Sequence, residues 1–190
     1  MRERGLKENS TPQKILIAIG KFLEETALPI LIWDFDTISK ITGIRSIYGN
    51  YTHYRPLLAK HIYDLKRRNY LKEIKTKKIK KIQLTPKGNA EIIKYKIKLE
   101  TKKPRWDKKW RAISWDVPEI SRKDRDYLRN KLRWLGFKEL QKSLWIFPFD
   151  VENEVKELVK LYKKDLAGDV RFLTIEKIEN DSNLIRYFKL

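Results

Sequence analysis

Positive charge on this chain is gathered into one stretch. From residue 51 to 111 there are 21 Lys and Arg against 5 Asp and Glu, while all 190 residues together carry 44 against 25. About a third of the protein therefore holds most of its excess charge. A field this concentrated attracts a polyanion, and for a soluble protein the usual polyanion is nucleic acid. A solvated basic surface is the competing reading, and the pattern inside the stretch decides between them.

Residues 51–88 read as helix, hairpin, helix. Pro56 suits the first turn of a helix, where its missing N–H costs nothing. Leu58, Ile62 and Leu65 then recur at helical spacing, with His61 on the flank. Lys60, Tyr63 and Arg67 fall on the opposite side, interrupted by Asp64. One side packs; the other offers two cations and a phenol to a groove. Asn69 suits a left-handed cap after Arg67 and Arg68. Leu71–Lys75 and Lys80–Leu84 read as two strands around a tip containing Lys77 and Lys78, with Lys81 in the second strand. Thr85 and Pro86 then form a helix cap and a first-turn proline. Helix, hairpin, helix with lysines at the tip is the pattern of a winged helix.

Upstream, residues 1–10 read as a flexible polar arm and not as a secretory signal. Thr11 and Pro12 open a first helix with an apolar stripe through Ile15, Leu16, Ile19, Phe22 and Leu23. Residues 27–33 read as an apolar connection broken by Pro29. Asp36 is expected to cap a short helix over 37–42 that stops at Gly43. A turn through Ile44, Arg45, Ser46 and Ile47 leads to the basic helix, giving a helix-turn-helix arrangement with a turn longer than usual. Residues 11–88 are thus expected to form a winged helix-turn-helix. Its candidate DNA contacts are Arg45, Ser46, His53, Tyr54, Arg55, Lys60, Tyr63, Arg67, Lys75, Lys77, Lys78, Lys80 and Lys81. Residues 89–105 read as a linker helix to about Glu100, then a hinge.

Composition changes after residue 105, where Trp106, Trp110 and Trp115 arrive close together. Residues 110–117 alternate as a strand, with Asp116 at its end. Ser121 to Asp124 opens a helix lined by Leu128, Leu132 and Leu135 and closed by Gly136. Two strands follow around Gln141 and Lys142. A helix is expected over 151–166, a strand over 170–178, and a further strand over 184–188 to pair with a neighbour. The order β-α-β-β-α-β describes a ferredoxin-like fold over 106–190. The fold class is therefore α+β.

Several chemistries lose their residues. With no cysteine there are no disulfides, thiol nucleophiles or cysteine-ligated metals, which fits a cytoplasmic location. Two histidines without a partner pattern do not suggest a zinc site. No phosphate-cradling glycine motif occurs, and no apolar run reaches the roughly 18 residues of a membrane span. The tryptophans could stack on single strands, but residues of this kind in strands and helices are ordinarily core.

The run Trp110-Arg-Ala-Ile-Ser-Trp-Asp-Val-Pro-Glu119 carries more specific information. With Arg125-Asp-Tyr-Leu-Arg129, Leu135-Gly-Phe137 and Leu140-Gln-Lys-Ser-Leu-Trp-Ile-Phe-Pro148, it resembles the central domain of phenylacetate-repressor-like (PaaX-like) transcriptional regulators. That domain in turn resembles the small CRISPR spacer-acquisition protein that partners the integrase. The resemblance implies winged helix first and ferredoxin-like domain second, the latter dimerising and the former binding two DNA half-sites. It implies a homodimeric, duplex-DNA-binding regulator, a repressor, needing no cofactor. The regulators carry a further C-terminal region, so recognition of a coenzyme A thioester is not expected here. In the CRISPR relatives an aspartate ending the first strand holds a divalent metal between protomers, and Asp116 occupies that place. Two such carboxylates across a dyad suit Mg²⁺. An adaptation scaffold or metal-dependent nuclease is therefore the alternative, and RNA is the alternative polyanion.

Overall fold

The first helix, α1 (Thr11–Glu25), begins after Ser10 and buries Ile15, Leu16, Ile19 and Leu23 on one side. The spacing i, i+1, i+4, i+8 gives the helix one apolar stripe, and each such side chain taken from water contributes about 1.5–3 kcal/mol. The computed structural model describes residues 5–28, 31–32, 34–44, 51–75, 80–100, 105–115, 122–162 and 170–190. Among these the chain is α+β, with seven helices and two antiparallel sheets. It divides into two units, Met1–Tyr95 and Lys96–Leu190.

In the first unit α1 is followed by β1 (Leu31–Ile32), α2 (Phe35–Thr42), α3 (Tyr51–Arg67), β2 (Leu71–Lys75), β3 (Lys80–Leu84) and α4 (Pro86–Glu100), which runs across the division. The three strands lie in the order β1-β3-β2. Leu71 pairs with Leu84, Glu73 with Ile82 and Lys75 with Lys80, which brings the two strand ends together at the hairpin tip. Leu16, Ile19, Ile38, Leu58, Ile62, Leu65, Leu71 and Ile82 form one buried core with Tyr54 and Tyr70.

Four expectations for this unit are corrected. Asp34, not Asp36, caps α2: its Oδ1 accepts from the Thr37 N–H at 2.7 Å. Leu31 and Ile32 leave the apolar connection to pair with β3. Pro56 lies inside α3 rather than in its first turn. It is exposed there, and a proline within a helix leaves the carbonyl four residues back without its usual donor. Finally, the arm is docked from Gly5 on. Leu6 is buried in the core, Arg68 donates to the Gly5 carbonyl at 3.1 Å, and the Asn9 N–H donates to Gln13 Oε1 at 2.8 Å. Residues 1–4 lie outside the described residues.

The second unit contains β4 (Trp110–Trp115), α5 (Arg122–Leu135), β5 (Lys138–Gln141), β6 (Leu144–Phe147), α6 (Glu152–Tyr162), β7 (Val170–Ile175) and α7 (Ser182–Phe188). The strand order is β5-β6-β4-β7, antiparallel at each pairing. Central strand β4 buries both faces. Ile113 lies opposite Trp145 and Phe172; Arg133 of α5 lies over the Trp145 ring and Lys156 of α6 over the Phe172 ring. That face therefore meets the two helices. On the other face Trp110 and Ile146 cluster with Leu184, Ile185 and Phe188.

The last cluster overturns the expected strand over 184–188. Those residues form α7, because Leu184, Ile185 and Phe188 fall at i, i+1 and i+4 and bury on the sheet only when helical. Trp110 Nε1 donates to Asp181 Oδ2 at 3.2 Å just before the helix starts. Trp110, Trp115 and Trp145 are buried, so they serve as core rather than as stacking faces.

Candidate nucleic-acid interface

The basic helix is anchored at its C-terminal end. At its C-terminus Asn69 takes a left-handed conformation, φ 61°. The Asn69 N–H bonds to the Lys66 carbonyl and the Tyr70 N–H to the Leu65 carbonyl, both at 2.9 Å. This pair of bonds satisfies carbonyls that a helix end leaves open. The chain then enters β2, and Lys66 of α3 forms an ion pair with Glu73 of that strand. Returning through β3, it meets Thr85, whose hydroxyl donates to the Asn69 carbonyl at 2.6 Å and accepts from the Gly88 N–H at 3.0 Å. Helix, hairpin and α4 are thereby joined at one corner.

Lys60, Tyr63 and Arg67 lie on the exposed side of α3, opposite buried Leu58, Ile62 and Leu65. Tyr63 is 66% exposed. Asp64 accepts from Arg67 Nη2 at 2.8 Å, and that bond, with the carboxylate's charge, raises the guanidinium's pKa. His61 is half-buried. Burial, and then the Lys60 charge beside it, hold its imidazole below its usual range, against a smaller pull from Asp64. It is therefore neutral at pH 7 and adds no charge to the face.

The remaining sequence candidates divide. Arg55 is exposed on α3. Tyr54 is corrected: it is 1% exposed and packs in the core, because the helix starts at Tyr51 and turns position 54 onto the same side as Leu58. The backbone of His53 lies in α3, and those of Lys75 and Lys80 close the hairpin in register; their side chains lie outside the described residues. Lys81 is half-buried in β3, opposite Ile74. Arg45, Ser46, Lys77, Lys78 and Asp116 lie outside the described residues. Two residues were not anticipated. Lys72 is exposed on β2, legible from its alternation with buried Leu71. Arg68 looked like one more basic residue, but it donates to Gly5 and lies 5.3 Å over the Tyr70 ring.

Residues 103–184 match the family model of the PaaX protein central Cas2-like domain. These residues are therefore similar to the PaaX Cas2-like domain. Comparison with curated proteins and with solved structures gives no match. Within the matched Cas2-like region, Arg111 is held by Asp107 through bonds of 3.0 and 2.7 Å. Their pairing raises the guanidinium and lowers the carboxyl. Asp124 is buried and accepts from the Tyr162 hydroxyl at 2.9 Å. Among the described residues no three His, Asp or Glu side chains are grouped to hold a metal. Among the described residues, too, no helix is long and apolar enough to cross a membrane.

Proposed function

We propose that this PaaX-like protein is a duplex-DNA-binding transcriptional regulator, a repressor, that works as a homodimer in the cytoplasm. The observation that carries the reading is the outward face of α3: Lys60, Tyr63 and Arg67 stand exposed in one row beside a hairpin whose tip is rich in lysine. A helix of that kind enters the major groove of a duplex, while hairpin lysines meet the backbone. The order of helices and strands in the first unit suits a winged helix. The strand order β5-β6-β4-β7 suits a ferredoxin-like fold, and with the family match it supports pairing of two copies.

The test is titration of one labelled sequence as duplex DNA, as single-stranded DNA and as duplex RNA, at several salt concentrations. The regulator reading expects the DNA duplex to bind most tightly, with affinity falling steeply as salt rises. Tighter binding of the RNA duplex would replace this reading with an RNA-binding one.

A further inference from the structure

Asp64 stands on α3 between Tyr63 and Arg67, within a face otherwise suited to phosphate. A carboxylate there repels a polyanion, so its place calls for another account. Its Oδ1 accepts from Arg67 Nη2 at 2.8 Å, and its Oδ2 lies 3.8 Å from Arg68 Nη1. Arg68 is turned inward, to the Gly5 carbonyl and the Tyr70 ring. Arg67 is not. Its side chain is 67% exposed, and among the described residues Asp64 is its one acidic partner. The pair sits at i, i+3, where two side chains on a helix meet without strain.

A guanidinium has five N–H donors in a fixed plane. The bond to Asp64 uses one and restrains the group before any ligand arrives. The free donors then match O6 and N7 of guanine, which a guanidinium engages with two parallel bonds. Holding the group in advance lowers the ordering cost of binding. The negative charge meanwhile weakens attachment to phosphate alone. Both effects favour sequence over charge.

We propose that Asp64 is a positioning residue that presents Arg67 to a guanine edge in the major groove of the bound duplex. This rests on α3 being the recognition helix of the proposed regulator, and it adds the base class that the helix reads.

The experiment selects bound molecules from a pool of randomised duplexes, followed by sequencing, with the full chain and its Arg67→Ala, Asp64→Ala and Asp64→Asn variants. Thermal unfolding is followed in parallel. The native protein should enrich guanine at one position of each half-site, and Arg67→Ala should lose that preference. Asp64→Ala should lose about tenfold of it, while binding the unselected pool at least as well as the native protein. Asp64→Asn, which keeps an acceptor, should retain part of the preference; a merely structural role would not produce that partial rescue. A full guanine preference in both Asp64 variants, or no guanine position that depends on Arg67, overturns the proposal while leaving duplex binding intact. Failure of the native protein to retain any duplex sinks the regulator reading as well.

Discussion

The bare Cα of Gly88 faces the carbonyl of Tyr70: a Cβ there would stand 2.2 Å from that oxygen and 3.2 Å from Leu84 Cδ2. The oxygen belongs to the backbone and also accepts from the Thr85 N–H at 3.1 Å, so it has little room to move. This contact sets how closely α4 approaches the segment that follows α3. Gly88→Ala should destabilise the first unit by about 1–3 kcal/mol through overpacking. Thr85→Ala removes the cap and should cost about 1 kcal/mol. Urea unfolding followed by far-UV circular dichroism measures both. A loss below about 0.5 kcal/mol for Gly88→Ala, the range of ordinary surface changes, would mean that the corner yields.

The hairpin is expected to contribute charge and not base recognition. Changing Lys77, Lys78 and Lys80 together to Ala should weaken binding to every duplex alike. It should reduce the slope of log affinity against log salt by about one unit for each true phosphate contact. Arg67→Ala, in contrast, should alter the ranking of sequences. An unchanged slope in the triple variant places the hairpin off the DNA.

Much of this fold was legible because local chemistry and burial agree. Leu58, Ile62 and Leu65 recur at helical spacing and are all buried; Asn69 and Gly136 follow helical runs and both take positive φ; Thr85 precedes Pro86 and caps α4. The failures lie where one local pattern admits two structures. Leu184 to Phe188 fits a short strand as well as a helical turn, and only burial against Trp110 chooses the helix. Leu31 and Ile32 form a strand too short for alternation to register. Placing Pro56 in the first turn gave Tyr54 no helical face, whereas a helix from Tyr51 carries it inward. The Asp64–Arg67 bond was permitted by spacing, but spacing does not choose between Arg67 and Arg68. The docking of Gly5 to Ser10 depends on nearby Gln13 and on Arg68 and Glu91; the last two are distant in sequence, and no local pattern announces them.

Glu91 adds a pH dependence to that docking. It is buried, and Gln13 Nε2 donates to it at 3.4 Å. Burial raises its pKa above the ordinary 4.5, against smaller pulls from Lys94, Gln13, the Leu6 backbone and Arg68. The folded protein then holds this proton more tightly than the unfolded chain does. Stability from the group is fully present below pH 4.5 and is lost as pH rises through the raised folded value. Glu91→Gln, which keeps the shape and loses the charge, should raise the unfolding midpoint at pH 7 and flatten the decline above pH 4.5. The midpoint measured by thermal melts from pH 4 to pH 8 decides it; an equal or lower midpoint at pH 7 would show that Lys94 and Arg68 stabilise the carboxylate more than burial penalises it.

The expected dimer can no longer rest on a terminal strand, because residues 184–188 are helical. Its support moves to β7. This strand pairs with β4 on one side, and among the described residues the strand order leaves it at an edge of the sheet. Leu173 in its middle is 46% exposed, on the same sheet face as Ala112, which it pairs. An edge strand carrying an exposed leucine is a place where a second chain attaches. A two-fold pair would present two recognition helices to two half-sites. The native protein should therefore sediment at the mass of two chains, and Leu173→Glu at the mass of one, since the pairing would set two carboxylates into an apolar contact. The variant should keep its affinity for a single half-site and lose the gain that the native protein obtains from a paired site. A native protein that sediments as one chain at micromolar concentration would remove the dimer from the proposed function. A Leu173→Glu variant that still sediments as two would place the contact away from β7.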